Sequence, residues 1–248
     1  RNLCDHPGIA RWQVLAPSRA ELDLTDVLAL HDWLDRHRPD AVVHAAGLVG
    51  GIQANLAEPL RYLAENARIG LNVITACRAA QVPVLINLSS SCVYPKDLGH
   101  GLSEDRILTG PLEPSNEGYA LAKIMAMRMV EYAAREEPGL HWRTLIPCNL
   151  YGPHDKFDPR HSHLLPAIIH KLHQAKLAGD ETVEIWGDGE ARREFMYAGD
   201  LAGAILRALD DPQSLPPVMN VGPGVDHAIN DYYRIAAEVI GWTGRFTH

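Results

Sequence analysis

The chain has 248 residues, of which 46% are apolar, so it is long enough to form one large domain or a domain with a smaller lobe. Its net charge is −8, from 23 Lys and Arg against 31 Asp and Glu, and no segment concentrates the basic residues. We therefore expect no nucleic-acid partner, because binding to a phosphate backbone requires clustered cations.

The start of the chain lacks the feature that usually opens a dinucleotide-binding fold. Such folds begin with a strand and a glycine-rich turn, GxGxxG, whose bare backbone lets pyrophosphate approach a helix N-terminus. Gly8 stands alone here, whereas Val14 and Leu15, followed by residues 21–26, are typical of a second strand and the acidic loop after it. We expect that a first βα unit of roughly 20 to 30 residues is missing from the chain.

Short apolar runs bounded by turn residues alternate with amphipathic stretches along the next part of the chain. Buried strands separated by helices are typical of a parallel sheet with crossover connections. The predicted elements are a strand at residues 41–44, a helix at 56–80, a strand at 84–88, a helix at 116–135 and a strand at 142–146.

After Gly152 the pattern changes to a loop rich in Pro and His. The elements predicted there are a helix at residues 164–178, strands at 183–186 and 218–221, and a final helix. We therefore expect an α/β protein with a Rossmann-type doubly wound parallel sheet in residues 1–152. A smaller C-terminal α/β substrate lobe in residues 153–248 should be interwoven with it and truncated at its C-terminal end.

Tyr119 and Lys123 form the most informative pair in the sequence. Their spacing puts both side chains on one face of a helix, where the ammonium can lower the pKa of the phenol so that it exchanges a proton near neutral pH. Ser90, at a strand end, can hold a carbonyl oxygen beside that phenol. The three residues predict a hydride-transfer site, although Tyr and Lys at this spacing are also common on ordinary amphipathic helices.

Other segments agree with this site in their order. Ala45 and Ala46 follow the first strand, as expected where a cofactor's ribose and phosphates cross the carboxyl edge of a sheet. Asn66 lies on the next helix, where its amide can bond backbone groups that orient the active-site strand. Pro147 starts a rigid turn after another strand, beside the expected position of the nicotinamide.

Cysteines and histidines supply further candidate groups. The four cysteines lie far apart and form neither a disulfide framework nor a CxxC metal signature, which favours reduced thiols in a cytoplasm. The spacing of His154, His161 and His163 does not match a helical metal pair, so we expect no metal. Apolar runs stay below the roughly 18 residues of a spanning helix, and we expect no membrane partner.

Six segments carry a family resemblance. They are HAAGLVGG at residues 44–51, SSSCVYPK at 89–96, EPSNEGYALAKI at 113–124, NLYGPHD at 149–155, SHLLPA at 162–167 and WGDGEARREF at 186–195. Together they resemble the GDP-L-fucose synthases, which are extended short-chain dehydrogenases/reductases of the NAD-dependent epimerase/dehydratase family. The likeness runs from about residue 21 to residue 246. The Cys after the serines, the GPHD turn and the SHxxPA stretch are typical of this branch.

The resemblance implies conversion of GDP-4-keto-6-deoxy-D-mannose to GDP-L-fucose with NADPH. Cys92 and His163 would exchange protons at C3 and C5, beside the 4-keto group, and Ser90, Tyr119 and Lys123 would then serve reduction at C4. The residues implied for NADP binding are Ala45, Ala46, Leu48, Asn66, Ser89, Tyr119, Lys123, Pro147, Asn149, Leu150 and His163. Those implied for binding the GDP-sugar are Ser91, Asn149, Trp186 and Arg193.

Departures from the family pattern and other interpretations remain open. Gly118 stands where the family commonly has Pro, which would loosen the backbone before Tyr119, and Ser89 replaces a usual Gly. Cys92 could be a buried small hydrophobe, and His163 an ordinary loop histidine. The alternatives are a nucleotide-sugar epimerase or dehydratase that acts on another GDP-sugar without net reduction, and a non-catalytic binding protein. We expect a cytoplasmic homodimer that pairs its long helices, as is common in this superfamily.

Overall fold

The computed structural model describes residues 1–99, 101–157 and 162–248. Its helices are α1 (Val27–His37), α2 (Ile52–Ala57), α3 (Pro59–Ala79), α4 (Glu117–Glu136), α5 (Leu164–Ala178), α6 (Ala198–Asp210) and α7 (Ile229–Ile240). Its strands are β1 (Ala41–His44), β2 (Val84–Leu88), β3 (His141–Pro147), β4 (Asn149–Tyr151), β5 (Thr182–Glu184), β6 (Arg192–Arg193), β7 (Phe195–Tyr197), β8 (Val218–Val221), β9 (His227–Ala228) and β10 (Arg245–Thr247).

A parallel sheet with the order β1-β2-β3-β8 forms the centre of the fold. Leu85 and Ile86, adjacent on β2, are both fully buried. Because successive side chains of a strand point to opposite faces, both faces of the sheet are covered. Buried parallel strands joined through helices are what the alternation of the sequence predicted, and the Rossmann-type α/β class is confirmed.

Helices α3 and α4 cover the face of the sheet that carries Leu85 and Trp142. Both side chains belong to one apolar cluster that also contains Val73 of α3 and Val130 of α4. The indole N–H of Trp142 donates to the carbonyl of Val82 at 2.9 Å, so the largest side chain of this core leaves no buried donor unpaired. This packing holds α4, and the residues on its first turns, against the strand ends.

Two local predictions were wrong. The helix expected at residues 56–80 is divided at Glu58, because Pro59 lacks the N–H that would continue the helix and instead starts α3. Val14 and Leu15 form no strand and are both exposed. A strand needs a hydrogen-bonded neighbour, and the described central sheet offers no pairing to these residues.

The chain divides into two compact units. One contains residues 1–148 and 199–221, and the other contains residues 149–198 and 222–248. The chain returns to the first unit because β8 pairs with β3. The predicted substrate lobe, residues 153–248, therefore includes a stretch that packs with the first unit.

The second unit has its own apolar core. Ile168 and Leu172 of α5 pack with Tyr233 of α7 and with Trp242. The unit also contains three two-stranded pairings, β5 with β10 and β4 with β7 in parallel, and β6 with β9 antiparallel. In the part of the chain that the structure describes, no helix has both the length and the apolarity needed to cross a membrane.

Candidate active site

Ser90 and Cys92 lie just beyond the carboxyl end of β2. The N–H of Ser89 donates to the carbonyl of Leu145 at 2.8 Å, which extends the pairing of β2 with β3 by one bond. Ser90 then precedes a single 3-10 turn, Ser91–Val93, that contains Cys92. Cys92 is partly buried and packs against a cluster that includes Tyr94, so the turn projects a hydroxyl and a thiol at the edge of the sheet.

Tyr119 and Lys123 occupy the first turns of α4, as the sequence predicted. Lys123 is buried, and its Nζ donates to the carbonyl of Leu88 at 3.0 Å. The same Nζ lies 5.7 Å from the centre of the Tyr119 ring. The lysine therefore ties the face of α4 that carries Tyr119 to the end of β2, where Ser90 follows.

Electrostatic effects connect Ser90, Cys92, Tyr119 and Lys123. Burial raises the pKa of Cys92 to about 11, against the opposing effects of a hydrogen bond with Ser90 and of the Lys123 ammonium. Burial also raises the pKa of Tyr119, and a charge on Cys92 raises it further. Burial lowers the pKa of Lys123, while Cys92 acts in the opposite direction. The four predicted side chains are thus brought together at one site.

The expected lowering of the Tyr119 pKa by Lys123 is wrong for this structure. Burial of the phenol dominates, because removal of water disfavours its anion. The raised pKa values of Tyr119 and Cys92 leave both groups protonated near neutral pH. Such a site is set to donate a proton from the phenol rather than to remove one.

Asn66 holds the loop that follows β1. Its Oδ1 accepts from the N–H of Leu48 at 2.8 Å, and its Nδ2 donates to the carbonyls of Leu48 and Tyr62 at 3.1 and 2.7 Å. A Cβ on Gly47 would lie only 2.9 Å from Asn66 Oδ1, so these hydrogen bonds of Asn66 require glycine at position 47. Asn66 therefore bonds backbone groups, as expected, but those of the loop and of its own helix α3 and not those of the strand.

The edge of the sheet fits the ribose and nicotinamide of a dinucleotide. Ala45 and Ala46 leave the backbone exposed after β1. Lys123 has three N–H donors and makes one hydrogen bond to the described residues, which leaves donors for ribose hydroxyls. The hydroxyl of Ser89 is buried and has no partner within the described ranges. Pro147, buried at the end of β3, completes this edge.

The remaining candidates belong to the second unit. Asn149 and Leu150 lie on β4, and the Asn149 amide donates to the carbonyl of Glu194 at 3.0 Å. His163 is exposed and directly precedes α5, without a side-chain bond to the helix end. Trp186 is 84% exposed, and the Nζ of Lys171 lies 5.9 Å from the centre of its ring.

Arg192 and Arg193 differ in their contacts. The guanidinium of Arg192 pairs with the carboxylate of Asp226 at 2.8 Å. Arg193 is exposed, and its guanidinium bonds to the carbonyl of Arg192 at 2.7 Å. Of the two, Arg193 is the residue whose charge is not already matched by a carboxylate within the described residues.

The histidine-rich loop shows no metal site in its described part. His154 is exposed, and His161 lies outside the described residues. Among the residues that the structure describes, no group of three or more His, Cys, Asp and Glu side chains could hold a metal ion.

The structure adds a buried polar row that the sequence predictions missed. His44 of β1 is in register with Asn87 of β2, which is in register with Thr144 of β3. All three are buried, and Asn87 Nδ2 donates to Thr144 Oγ1 at 3.2 Å. A histidine at the end of an apolar strand was the available signal in the sequence.

His44 gives a testable pH effect on stability. Burial and the Lys123 charge lower the pKa of His44 from 6.5 to about 3. The unfolded chain therefore binds more protons between these pH values, so His44 costs stability as the pH falls through this window. We expect His44→Asn to flatten the pH dependence of the unfolding free energy by up to about 1.4 kcal/mol per pH unit. Urea unfolding of wild type and of His44→Asn across this pH range measures how the unfolding free energy of each depends on pH. Equal slopes for the two proteins would contradict the prediction.

Gly118 occupies a close approach between two helices. A Cβ at this position would lie 2.8 Å from the carbonyl oxygen of Pro59 and 3.3 Å from Cβ of Leu63. The residue that replaces the family's usual Pro is therefore packed against α3. The absence of a side chain lets α4 begin directly beside the start of α3.

Gly118→Ala should destabilise the protein by about 1–3 kcal/mol, because the added methyl must displace backbone at a packed contact. Urea denaturation of the purified protein measures the change. Gly139→Ala is the matched control, since a Cβ there meets no described atom within 4 Å. We expect this control to change stability by less than about 0.5 kcal/mol. Similar losses for both variants would mean that the helix contact is not the cause.

Comparisons with known proteins agree with this geometry. The family described as NAD dependent epimerase/dehydratase matches residues 4–222. A GDP-L-fucose synthase of Azorhizobium caulinodans is 50% identical over 248 residues, which is 100% of this chain and 79% of the relative. A GDP-L-colitose synthase of Yersinia pseudotuberculosis is 46% identical over 100% of this chain and 80% of the relative.

A solved structure extends the similarity to three dimensions. The GDP-mannoheptose C4 reductase of Campylobacter jejuni, determined with NADP bound, superimposes with a TM-score of 0.86 at 28% identity. The match covers 94% of this chain and 79% of that protein.

Proposed function

Because this chain belongs to the NAD-dependent epimerase/dehydratase family, we propose that it is an NADPH-dependent epimerase-reductase that converts GDP-4-keto-6-deoxy-D-mannose to GDP-L-fucose. The observation that carries the proposal is the convergence of Ser90, Cys92, Tyr119 and Lys123 at one sheet edge. The 50% identity to a GDP-L-fucose synthase supports the substrate class.

Epimerisation would use Cys92 and His163 as an acid–base pair. A ketone at C4 acidifies the C–H bonds at C3 and C5, so one group can remove a proton and the other can return one to the opposite face. Cys92 rests as a thiol, because burial raises its pKa to about 11. A hydrogen bond from Ser90 and the charge of Lys123 favour its thiolate whenever it acts as the base. The role of His163 rests on the family resemblance.

Reduction would use the residues on α4. NADPH, when bound, supplies a hydride to C4. The protonated phenol of Tyr119 donates to the oxygen at C4, and the Ser90 hydroxyl holds that oxygen in place. The Lys123 ammonium stabilises the phenolate that remains and offers its other N–H groups to ribose hydroxyls.

Binding residues follow from the same proposal. Ala45, Ala46, Leu48 and Asn66 would border the cofactor at the edge of the sheet, together with Ser89 and the residues after β3. Ser91, Asn149, Trp186 and Arg193 would contact the GDP-sugar. The Trp186 ring is exposed, with the Lys171 ammonium 5.9 Å from its centre, and the fork of Arg193 suits a diphosphate.

The purified protein, incubated with GDP-4-keto-6-deoxy-D-mannose and NADPH, tests this function. We expect loss of NADPH absorbance together with a product inverted at C3 and C5, identified by NMR. An epimerised ketone without NADPH consumption would instead support an epimerase that makes no net reduction. Binding without any conversion would support a non-catalytic protein. One relative is named a GDP-L-colitose synthase. A second GDP-linked keto sugar should therefore be tested as a competing substrate.

We also infer a cytoplasmic homodimer. Leu71 of α3 and Leu121 and Tyr132 of α4 expose 45%, 41% and 49% of their surfaces, respectively, and these two helices pack side by side. Apolar groups on neighbouring helices favour pairing with a second copy. Light scattering of the purified protein measures the oligomeric state, and a monomer at micromolar concentration would refute the dimer. Cell fractionation tests the cytoplasmic location.

A further inference from the structure

A hydrogen-bonded cluster joins the loop after Cys92 to the last strand of the sheet. The Tyr94 hydroxyl donates to Asn220 Oδ1 at 2.6 Å, and Asn220 Nδ2 donates to the carbonyl of Leu102 at 2.9 Å. The backbone N–H of Asn220 donates to Glu104 Oε1 at 2.6 Å. Asn220 thus accepts one hydrogen bond from, and donates two to, a segment that lies more than 100 positions earlier in the chain.

We propose that this cluster, called the Tyr94–Asn220 latch, positions Cys92 for proton transfer and so sets how completely epimerisation precedes reduction. The inference rests on the function proposed above. It assigns no chemical step to Tyr94 or Asn220, which act through the position of the Cys92 thiol.

Ser90 and Cys92 differ in what holds them. Ser90 follows Ser89, whose N–H is bonded to β3 at 2.8 Å. Cys92 lies farther along, in a 3-10 turn whose last bond runs from the N–H of Tyr94 to the carbonyl of Ser91 at 3.3 Å. The strand therefore supports Ser90 directly, whereas the turn of Cys92 depends on the anchor at its far end.

Tyr94 provides that anchor through both its ring and its hydroxyl. The side chain is 4% exposed and packs in the cluster that also contacts Cys92. Burial raises the pKa of Tyr94 to about 12, so the hydroxyl keeps the proton that it donates to Asn220 across the physiological range. Removal of the hydroxyl leaves Asn220 Oδ1 without its donor from Tyr94 and frees the end of the turn to shift.

Of the three residues proposed for reduction, two are carried by α4 and not by the turn of Cys92, and Ser90 directly follows the residue that is bonded to β3. Tyr119 and Lys123 are carried by α4, and Lys123 is bonded directly to the carbonyl of Leu88. Loss of the latch should therefore slow proton exchange at C3 and C5 while hydride transfer to C4 continues. If C4 is reduced before C3 and C5 are inverted, the product is a different stereoisomer. The stereochemistry of the product therefore reports whether epimerisation preceded reduction.

The experiment compares wild type with Tyr94→Phe, using GDP-4-keto-6-deoxy-D-mannose and NADPH in deuterated water. NMR of the product gives the fraction reduced without inversion and the deuterium content at C3 and C5. We expect the ratio of uninverted to inverted product to rise on the order of tenfold, the effect of losing one part-buried hydrogen bond. NADPH consumption per folded enzyme should change much less.

Two control variants separate positioning from general damage. Tyr233→Phe removes a hydroxyl from a tyrosine buried in the second unit, and it should leave the product ratio as in wild type. Glu104→Gln keeps an oxygen that accepts from the N–H of Asn220, and it should also preserve the ratio. A loss of folded protein lowers all products equally and does not alter their ratio.

The possible failures are distinguishable. If wild type does not reduce the ketone, the proposed function and the latch built on it are both overturned. If wild type converts the ketone and Tyr94→Phe gives the wild-type ratio, the latch alone is overturned. Should Tyr94→Phe fail to fold, Asn220→Ser removes the same bond and is judged by the same ratio.

Discussion

Tyr119→Phe is expected to slow NADPH-dependent reduction about 10²–10⁴-fold, the range for loss of a positioned acid. The change removes the phenolic hydroxyl and keeps the ring against Lys123. Proton exchange at C3 and C5 should continue, because it depends on Cys92 and His163 in the proposed mechanism. NADPH absorbance measures the reduction, and NMR of the ketone in deuterated water measures the exchange.

Tyr132→Phe is the matched control for this prediction. It makes the same change on the same helix, at a side chain that is 49% exposed and lies beneath the guanidinium of Arg135. We expect wild-type rates from it. A Tyr119→Phe enzyme that consumes NADPH at the wild-type rate would show that another group protonates the oxygen at C4, and the proposed acid would be wrong.

Cys92→Ser should lower deuterium incorporation at C3 and C5 by about 10²–10⁴-fold, again the range for loss of an acid or base. A serine hydroxyl is a much weaker acid than a thiol, so burial at this position leaves it unable to exchange a proton with carbon. Reduction should persist, because Ser90, Tyr119 and Lys123 remain. The product should then be mainly the uninverted alcohol, as NMR would reveal.

Cys4→Ser supplies the control, since Cys4 is exposed and distant in sequence from the site. Its exchange and reduction rates should equal those of wild type. If Cys92→Ser keeps normal exchange, Cys92 is the buried small residue that the sequence also allowed. In that case the latch formed by Tyr94 and Asn220 would have no thiol to position.

The raised pKa values of Tyr119 and Cys92 bear on both the predicted reduction and the predicted proton exchange. Tyr119 and Cys92 both hold their protons near neutral pH, because burial disfavours their anions. The phenol is then already in the form that reduction requires. The thiol is in the form needed to return a proton, and its hydrogen bond with Ser90 assists the opposite role. The phenol therefore needs no change in its resting protonation for reduction, whereas the thiol must lose its proton before it can act as a base.

Local pattern was enough for several regular elements of the chain. Strands β1, β2 and β8 and helix α5 have the bounds that were predicted from apolar runs and turn residues. The side chains of Tyr119 and Lys123 share a face because the helical repeat requires it. These features depend on residues near one another in the chain, so a sequence contains the information directly.

The sequence could also bring Ser90 near α4, because strand ends of a parallel sheet meet at one edge. It could not give the protonation of the site. The sign of the Tyr119 shift was predicted wrongly because the pKa depends on how much water is removed from the phenol, and that burial is produced by residues from several elements. The packed contact of Gly118 with Pro59 was hidden for the same reason.

The sequence alone determined the α/β class and the order of the central helices and strands along the chain. It also identified Ser90, Tyr119 and Lys123 as residues of one site, since periodicity and family motifs are local. Only the tertiary structure decided the break before Pro59, the burial of His44 and the bonds of Asn220 to Tyr94 and Glu104. Burial and long-range hydrogen bonds exist only when distant segments pack together, and no local pattern contains their partners.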